Sequence, residues 1–223
     1  MDLLSLFTAW LSIFSISFTV LPLGMVYEWY KRGTSDGFSS VMLVLPMTIM
    51  SLWFKLGLVT NDPTNINING VNICIFFFYV LCYAYYQPKR KYLFGQLIAA
   101  FLSVQAIYFY VDGIEDPKVR ADTMGHIAST AQILSNVGGV YEIYRIVKMG
   151  HTEYTQPAMQ YGIFLLILQW LLFGLWTDNV HIVNANIVGL AVNVATIALY
   201  FIYPPLTWRV PIIGTGPQQK KKE

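Results

Sequence analysis

The sequence predicts an all-α membrane protein: seven transmembrane helices set out as two parallel three-helix bundles joined by an inverting fourth helix, a 3+1+3 plan. Three observations carry that prediction. Of 223 residues, 56% are hydrophobic and only 12% are charged, against about a quarter charged in a soluble domain. Seven apolar stretches have the roughly 17–25 residues a helix needs to cross a ~30 Å hydrocarbon core. The chain also repeats itself without a gap at a separation of 117 residues, as in Lys31/Lys148, Gly33/Gly150, Trp53/Trp170, Gly57/Gly174, Thr60/Thr177, Asn69/Asn186, Tyr83/Tyr200, Tyr86/Tyr203 and Pro88/Pro205.

The first stretch, Leu3–Val26, carries Asp2 where a signal peptide has a basic start, and it is too long for a signal core, so it reads as a retained helix. The second, Ser40–Val59, follows the loop Gly33-Thr-Ser-Asp-Gly-Phe-Ser, in which glycine makes the turn and Asp36 is suited to cap the next helix. The third, Asn69–Tyr86, opens after Asn61-Asp-Pro-Thr-Asn and ends at Tyr83-x-x-Tyr-x-Pro88. Proline stops the helix there and the tyrosines suit an interface. Stretches five, six and seven (Thr123–Ile146, Ala158–Trp176 and Ile182–Tyr203) repeat this plan, with the inner loop at Lys148-Met-Gly-His-Thr-Glu and the outer turn at Thr177-Asp-Asn.

The fourth stretch, Tyr92–Val111, has no counterpart. Three crossings are an odd number, so two direct repeats joined end to end would insert in opposite senses, and one extra span restores the same sense. The predicted division is residues 1–88 for the first bundle, 89–121 for the linker helix and its loops, 122–205 for the second bundle and 206–223 for a short cytoplasmic tail.

Net charge is only +2, but its placement is informative. Lys31, Arg32, Lys89, Arg90, Lys91, Arg145, Lys148, Arg209 and Lys220–Lys222 fall on one side of the seven-span plan; Lys118 and Arg120 fall on the other. The positive-inside rule then puts the N-terminus outside or in a lumen and the C-terminus in the cytoplasm. A multi-pass protein of the plasma membrane is the expectation, with the Golgi or another endomembrane as the alternative. Lys55, within the second span, is expected to snorkel or to bond a helix end. Cys74 and Cys82 share one span and cannot staple two segments. The tryptophans Trp10, Trp29 and Trp208 read as interfacial belt residues.

No Ser/His/Asp set, metal-spaced His/Cys cluster or phosphate-binding glycine loop occurs. No enzyme, metal, cofactor or nucleic-acid role is therefore expected, and the partners are the lipid bilayer and a small solute; a homo-oligomer stays open. Duplicated membrane units with matched polar residues commonly build one substrate site between two halves. Asn69 and Asn186, with Trp53 and Trp170, are the candidates. Amides offer two donors and an acceptor to hydroxyls, and an indole offers a flat apolar plate. The competing role for the asparagines is helix capping or helix–helix bonding, since both stand close to the outer ends of their spans. No Asp or Glu lies in the central part of a span, which favours transport uncoupled from ions; His126 is the reservation.

Pro22, the Gly33 loop, Leu52-Trp-Phe-Lys-Leu-Gly-Leu58, Ile68-Asn-Gly70, Tyr86-Gln-Pro-Lys89, Gln169-Trp-Leu-Leu-Phe-Gly-Leu175, Asn186-Ile-Val-Gly189 and Leu199-Tyr-Phe-Ile-Tyr203 resemble the SWEET (MtN3/saliva) transporters over nearly the whole chain. That family is itself a standing example of parallel membrane repeats. The resemblance implies a facilitative sugar carrier, with Asn69 and Asn186 at the family's sugar-contacting asparagines and Trp53 and Trp170 at its pocket positions. Of the family's four hinge prolines only Pro22 is matched. The others read Met42, Gly139 and Gln156, with Pro46 one turn from the second and Pro157 next to the fourth. The hinge set expected is therefore Pro22, Pro46, Gly139 and Pro157, glycine also permitting a bend.

The combined reading is a uniporter of small neutral sugars, a hexose such as glucose, working by alternating access. A PQ-loop carrier of amino acids or other small solutes is the alternative, disfavoured by Pro22-Leu23 in place of Pro-Gln. A seven-helix receptor is the other, disfavoured by the direct repeat.

Overall fold

The computed structural model describes residues 2–217, so the Lys220–Lys222 run lies outside the described residues. Among those described there are nine α-helices and no strands: α1 Leu3–Val20, α2 Leu23–Arg32, α3 Val41–Thr60, α4 Pro63–Tyr86, α5 Lys91–Asp112, α6 Pro117–Ser135, α7 Val137–Met149, α8 Pro157–Trp176 and α9 Val180–Ile202. The first expected span is α1 and α2 together, broken at Leu21-Pro22. The fifth is α6 and α7, broken at Asn136. Six of the seven spans are long and apolar enough to cross a membrane. The fifth is not, because it carries Asp122, His126, Gln132, Asn136, Glu142 and Arg145 among its apolar residues. Large apolar side chains such as Ile13, Leu45, Phe77, Phe101, Leu165 and Ile187 are exposed on the long helices, the surface of a chain that meets lipid.

The chain forms two compact units that divide between Ala131 and Gln132. In the first, α4 is central and packs on α1, α2 and α3, while α5 packs on α3. In the second, α9 is central and packs on α7 and α8. The third helix of each repeat is thus the most enclosed, and it is the one that bears the asparagines.

Local punctuation repeats along with the sequence. Gly33 and Gly150 end α2 and α7 in the left-handed conformation, at φ 68° and 74°, where any side chain is strained. Ser35 and Thr152, both fully buried, then tie the following loop to the end of the third helix: Ser35 N–H donates to Tyr86 O at 3.1 Å and Thr152 Oγ1 to Tyr203 O at 2.8 Å.

Three placements differ from the sequence reading or extend it. Trp29 is a core residue with 1% exposure, not a belt residue. The loop after α2 folds back, so that Phe38 and Tyr83 box its ring edge-on at 5.6 and 5.4 Å. Lys55 does bond a helix end: its ammonium lies 2.7 Å from both carboxylate oxygens of Asp112, the last residue of α5, and 5.0 Å from the Tyr108 ring. The described part of the tail is an ordered clasp. Glu153 accepts bonds from the Leu206 and Thr207 amides at 2.7 and 3.1 Å and from the Thr207 hydroxyl. The Trp208 indole donates to Glu153 O at 3.1 Å, Tyr161 to Pro211 O at 2.8 Å, and Val210 is buried.

Candidate functional site

The candidate residues lie beside the turn between the second and third helices of each repeat, and the sequence dictates that turn in detail. Thr60 and Thr177 close the second helix by donating their hydroxyls to the carbonyls four residues back, Leu56 and Phe173, at 2.8 Å each. Asn61 and Asp178 then adopt left-handed conformations, φ 53° and 51°, which these two residue types tolerate better than most. Next come Asp62 and Asn179, and these are the helix caps. Asp62 accepts from the Thr64 and Asn65 amides at 2.9 and 3.2 Å, with Pro63 at the first helical position. Asn179 accepts from the Ile182 amide at 3.2 Å. Both satisfy donors that a helix start leaves without intrahelical partners.

Glycine lets the paired helices close on each other here. A methyl group at Gly57 would stand 3.0 Å from Asn65 Cβ, and one at Gly174 would stand 2.9 Å from Ile182 Cγ2. Asn65 and Ile182 are themselves 117 residues apart, so the close approach is made at the same place in each unit. Residues four apart share one helix face. One turn further from the loop, the antiparallel pairs therefore bring Trp53 of α3 level with Asn69 of α4, and Trp170 of α8 level with Asn186 of α9.

Asn69 was expected close to a helix end, but α4 begins at Pro63, earlier than the apolar stretch suggested, because Asp62 and Pro63 start it there. Asn69 lies nearly two turns inside, and neither it nor Asn186 is a cap. Both are buried. Each turns its amide N–H back onto its own helix: Asn69 Nδ2 lies 3.0 Å from Asn65 O and 3.1 Å from Asn65 Oδ1, and Asn186 Nδ2 lies 2.8 Å from Ile182 O. Neither Oδ1 accepts a hydrogen bond among the described residues. Each position therefore presents an orientated carbonyl acceptor, and Asn186 keeps a second N–H as well, whereas Asn69 Nδ2 already faces two acceptors.

The two tryptophans differ. Trp53 is buried, whereas Trp170 is half-buried with its ring edge-on to Phe173 at 5.7 Å. The remaining asparagines serve packing in part: Asn193 donates to Gln160 Oε1 at 2.9 Å, while the buried Asn72 Oδ1 has no partner among the described residues. His126 is exposed on α6.

Of the expected hinge residues, Pro22 stands at the α1–α2 break and Pro46 lies inside α3. Gly139 is in α7, three residues past Asn136, at a spot where a Cβ would come within 2.7 Å of Val192. Pro157 takes the first position of α8, where its missing N–H costs nothing.

Sequence reasoning missed the caps Asp62 and Asn179. The signal for them was present: an acid directly before a proline, and an asparagine three residues before Ile182.

Comparison with known proteins follows the same plan. A family model described as a sugar efflux transporter for intercellular exchange matches residues 5–91 and 122–207, the two repeats without the linker helix. The chain is 26% identical over 213 residues to the bidirectional sugar transporter SWEET13 of Oryza sativa subsp. japonica, covering 93% of this chain and 71% of that one. It is 23% identical over 199 residues to the sugar transporter SWEET1 of Dictyostelium discoideum, covering 86% and 89%. Its fold matches a solved eukaryotic SWEET transporter with a TM-score of 0.79 at 16% identity, over 91% of this chain and 99% of the other.

Proposed function

The chain belongs to the MtN3/saliva family of sugar efflux transporters, and from that premise we propose that it carries small neutral sugars, a hexose such as glucose, down their gradient by alternating access. The observation that carries this reading is the division of labour at the duplicated turn. Asp62 and Asn179 cap the helices, which leaves Asn69 and Asn186, each level with a tryptophan, with side-chain carbonyls that accept no hydrogen bond among the described residues. A sugar offers hydroxyls to the amides and a C–H-rich face to the indoles. Relatives named bidirectional sugar transporters support the substrate class. It is a transporter and not an enzyme.

Pro22, Pro46, Gly139 and Pro157 are the points at which we place bending during the cycle. The central parts of the spans hold no carboxylate among the described residues, which supports uniport. The basic loops support an N-terminus outside and a C-terminus in the cytoplasm, with the plasma membrane as its site.

Counterflow of labelled glucose in liposomes containing the purified protein tests this. Exchange with no imposed ion gradient is expected, unchanged by protonophore or sodium ionophore. Absence of exchange for all neutral hexoses, with uptake of amino acids instead, overturns it.

A further inference from the structure

The break in the first span has a partner outside its own helix. Proline has no N–H, so the backbone ladder of α1 cannot run through Pro22. The chain tightens instead: Leu21 N–H donates to Phe18 O at 3.2 Å and Gly24 N–H to Leu21 O at 3.3 Å. The last carbonyls of any helix lack intrahelical donors, and within a bilayer there is little water to replace them. Here a side chain does so. Tyr79, in the middle of α4 and 1% exposed, points its hydroxyl at Thr19 O and Val20 O, at 3.0 and 3.3 Å. Its ring is fixed edge-on by Phe76 at 5.7 Å.

Two further observations bear on what this contact does. An apolar groove of about 580 Å³ opens beside the break, lined by Val20, Leu23, Gly70, Cys74 and Phe78 as well as Tyr79, so the chain around Pro22 has space on that side. The second repeat handles its break differently. The residue equivalent to Tyr79 is Thr196, which bonds Val192 O within its own helix at 2.9 Å, and the residue equivalent to Pro22 is Gly139, packed on Val192.

We propose that Tyr79 is a positioning residue of the transport cycle: its hydroxyl latches the α1–α2 break by capping the Thr19 and Val20 carbonyls, and turnover depends on that latch. The inference rests on the transporter reading above. Two arrangements of the segment compete. In the broken one Gly24 donates to Leu21 and Tyr79 serves the stranded carbonyls. In a straighter one the Leu23 and Gly24 amides reach back to Thr19 and Val20, and Tyr79 is released. A bistable element of this kind is what a conformational cycle requires, and Tyr79 weights one side of it without touching the sugar-site candidates.

The test is Tyr79→Phe, which keeps the ring and removes the hydroxyl. Maximal counterflow should fall about 5-fold or more, the lower end expected for losing one buried hydrogen bond of about 1 kcal/mol, with the equilibrium sugar affinity unchanged. In a Pro22→Ala background, where the ladder can close by itself, Tyr79→Phe should have no further effect. Wild-type turnover in Tyr79→Phe, the same slowing in both backgrounds, or a parallel fall in affinity overturns the proposal. Amide hydrogen exchange across residues 19–26 needs no sugar and should accelerate in Tyr79→Phe. Unchanged exchange overturns the latch whatever the transport assay gives, whereas accelerated exchange in a protein whose wild type moves no sugar locates the failure in the transporter reading.

Discussion

Tyr83 donates its hydroxyl to the carbonyl of Phe38 at 2.9 Å, and 117 residues later Tyr200 donates to the carbonyl of Thr155, also at 2.9 Å. Each bond ties the third helix of a repeat to the loop that precedes its second helix. Tyr200→Phe should cost about 1 kcal/mol of stability, the usual net value of such a bond, and Tyr83→Phe should cost more, because the Tyr83 hydroxyl also accepts from the buried Gln87 amide at 2.7 Å. The two bonds share no residue, so the double variant should show the sum. Denaturant or thermal melts of the purified variants check this, and a clearly non-additive result would mean that the two loops are coupled.

Asn69 and Asn186 should separate cleanly from the caps next to them. Asn69→Ala and Asn186→Ala should weaken sugar binding by roughly 5- to 150-fold, the equivalent of a lost buried hydrogen bond of about 1–3 kcal/mol, with little change in melting temperature. Asp62→Ala and Asn179→Ala should do the reverse, costing about 1 kcal/mol of stability as caps do and leaving affinity in place. Binding and melting measured side by side on the four variants decide the matter. Unchanged affinity in both asparagine variants removes them from the site.

Trp53 and Trp170 set a prediction about size. On the proposed reading, in which both indoles line the sugar site, a larger sugar should fit less well, so hexose counterflow should exceed that of sucrose or another disaccharide. Removing each ring should weaken hexose binding by roughly 2- to 12-fold, from the ~0.5–1.5 kcal/mol of a specific aromatic contact. Equal rates for hexose and disaccharide, or full activity in the doubly substituted protein, count against it.

Glu153 sets a pH dependence for the clasp. Its hydrogen bond from Thr207, helped by the Leu206 and Thr207 amides and the nearby His151, holds the carboxyl below its ordinary value of 4.5. A depressed folded-state value contributes stability above the unfolded value and loses it as the pH falls through the folded one. The melting temperature of Glu153→Gln should therefore lie below that of the wild type at neutral pH, and the gap should narrow as pH drops below about 4.5. A gap that stays constant down to pH 3 means the carboxylate charge contributes nothing to the clasp.

How much of this was legible follows from where each signal lives. The repeat, the long spans and the two Trp/Asn levels are carried by residue identity at a fixed offset, which a single sequence displays. Asn69 was set too close to a helix end because the hydropathy of Asn65, Ile66, Asn67 and Ile68 hides two turns of helix that Asp62 and Pro63 begin. Trp29 was assigned to the interface by its place near the end of α2, a rule that cannot see the Gly33 loop folding Phe38 over the ring. The tail read only as a short cytoplasmic segment, because its anchor, Glu153, lies more than 50 residues away in the chain. Tyr79 gave no signal because a tyrosine in an apolar helix is unremarked until the carbonyls freed by Pro22 are found beside it.

The Lys55–Asp112 pair also has a history during synthesis. The two residues are 57 apart in the chain, so at about 5–20 residues per second the cation leaves the ribosome roughly 3–11 s before its anion exists. A second span that enters the bilayer within that interval carries an unneutralised charge, which would cost about 2.5–3.5 kcal/mol at the middle of a helix. Lys55 is five residues from the end of α3, where a flexible stem can carry its ammonium to the headgroups. The nascent chain can thus commit α3 to the membrane before α5 exists, and the later pairing with Asp112 then offers that ammonium a fixed partner.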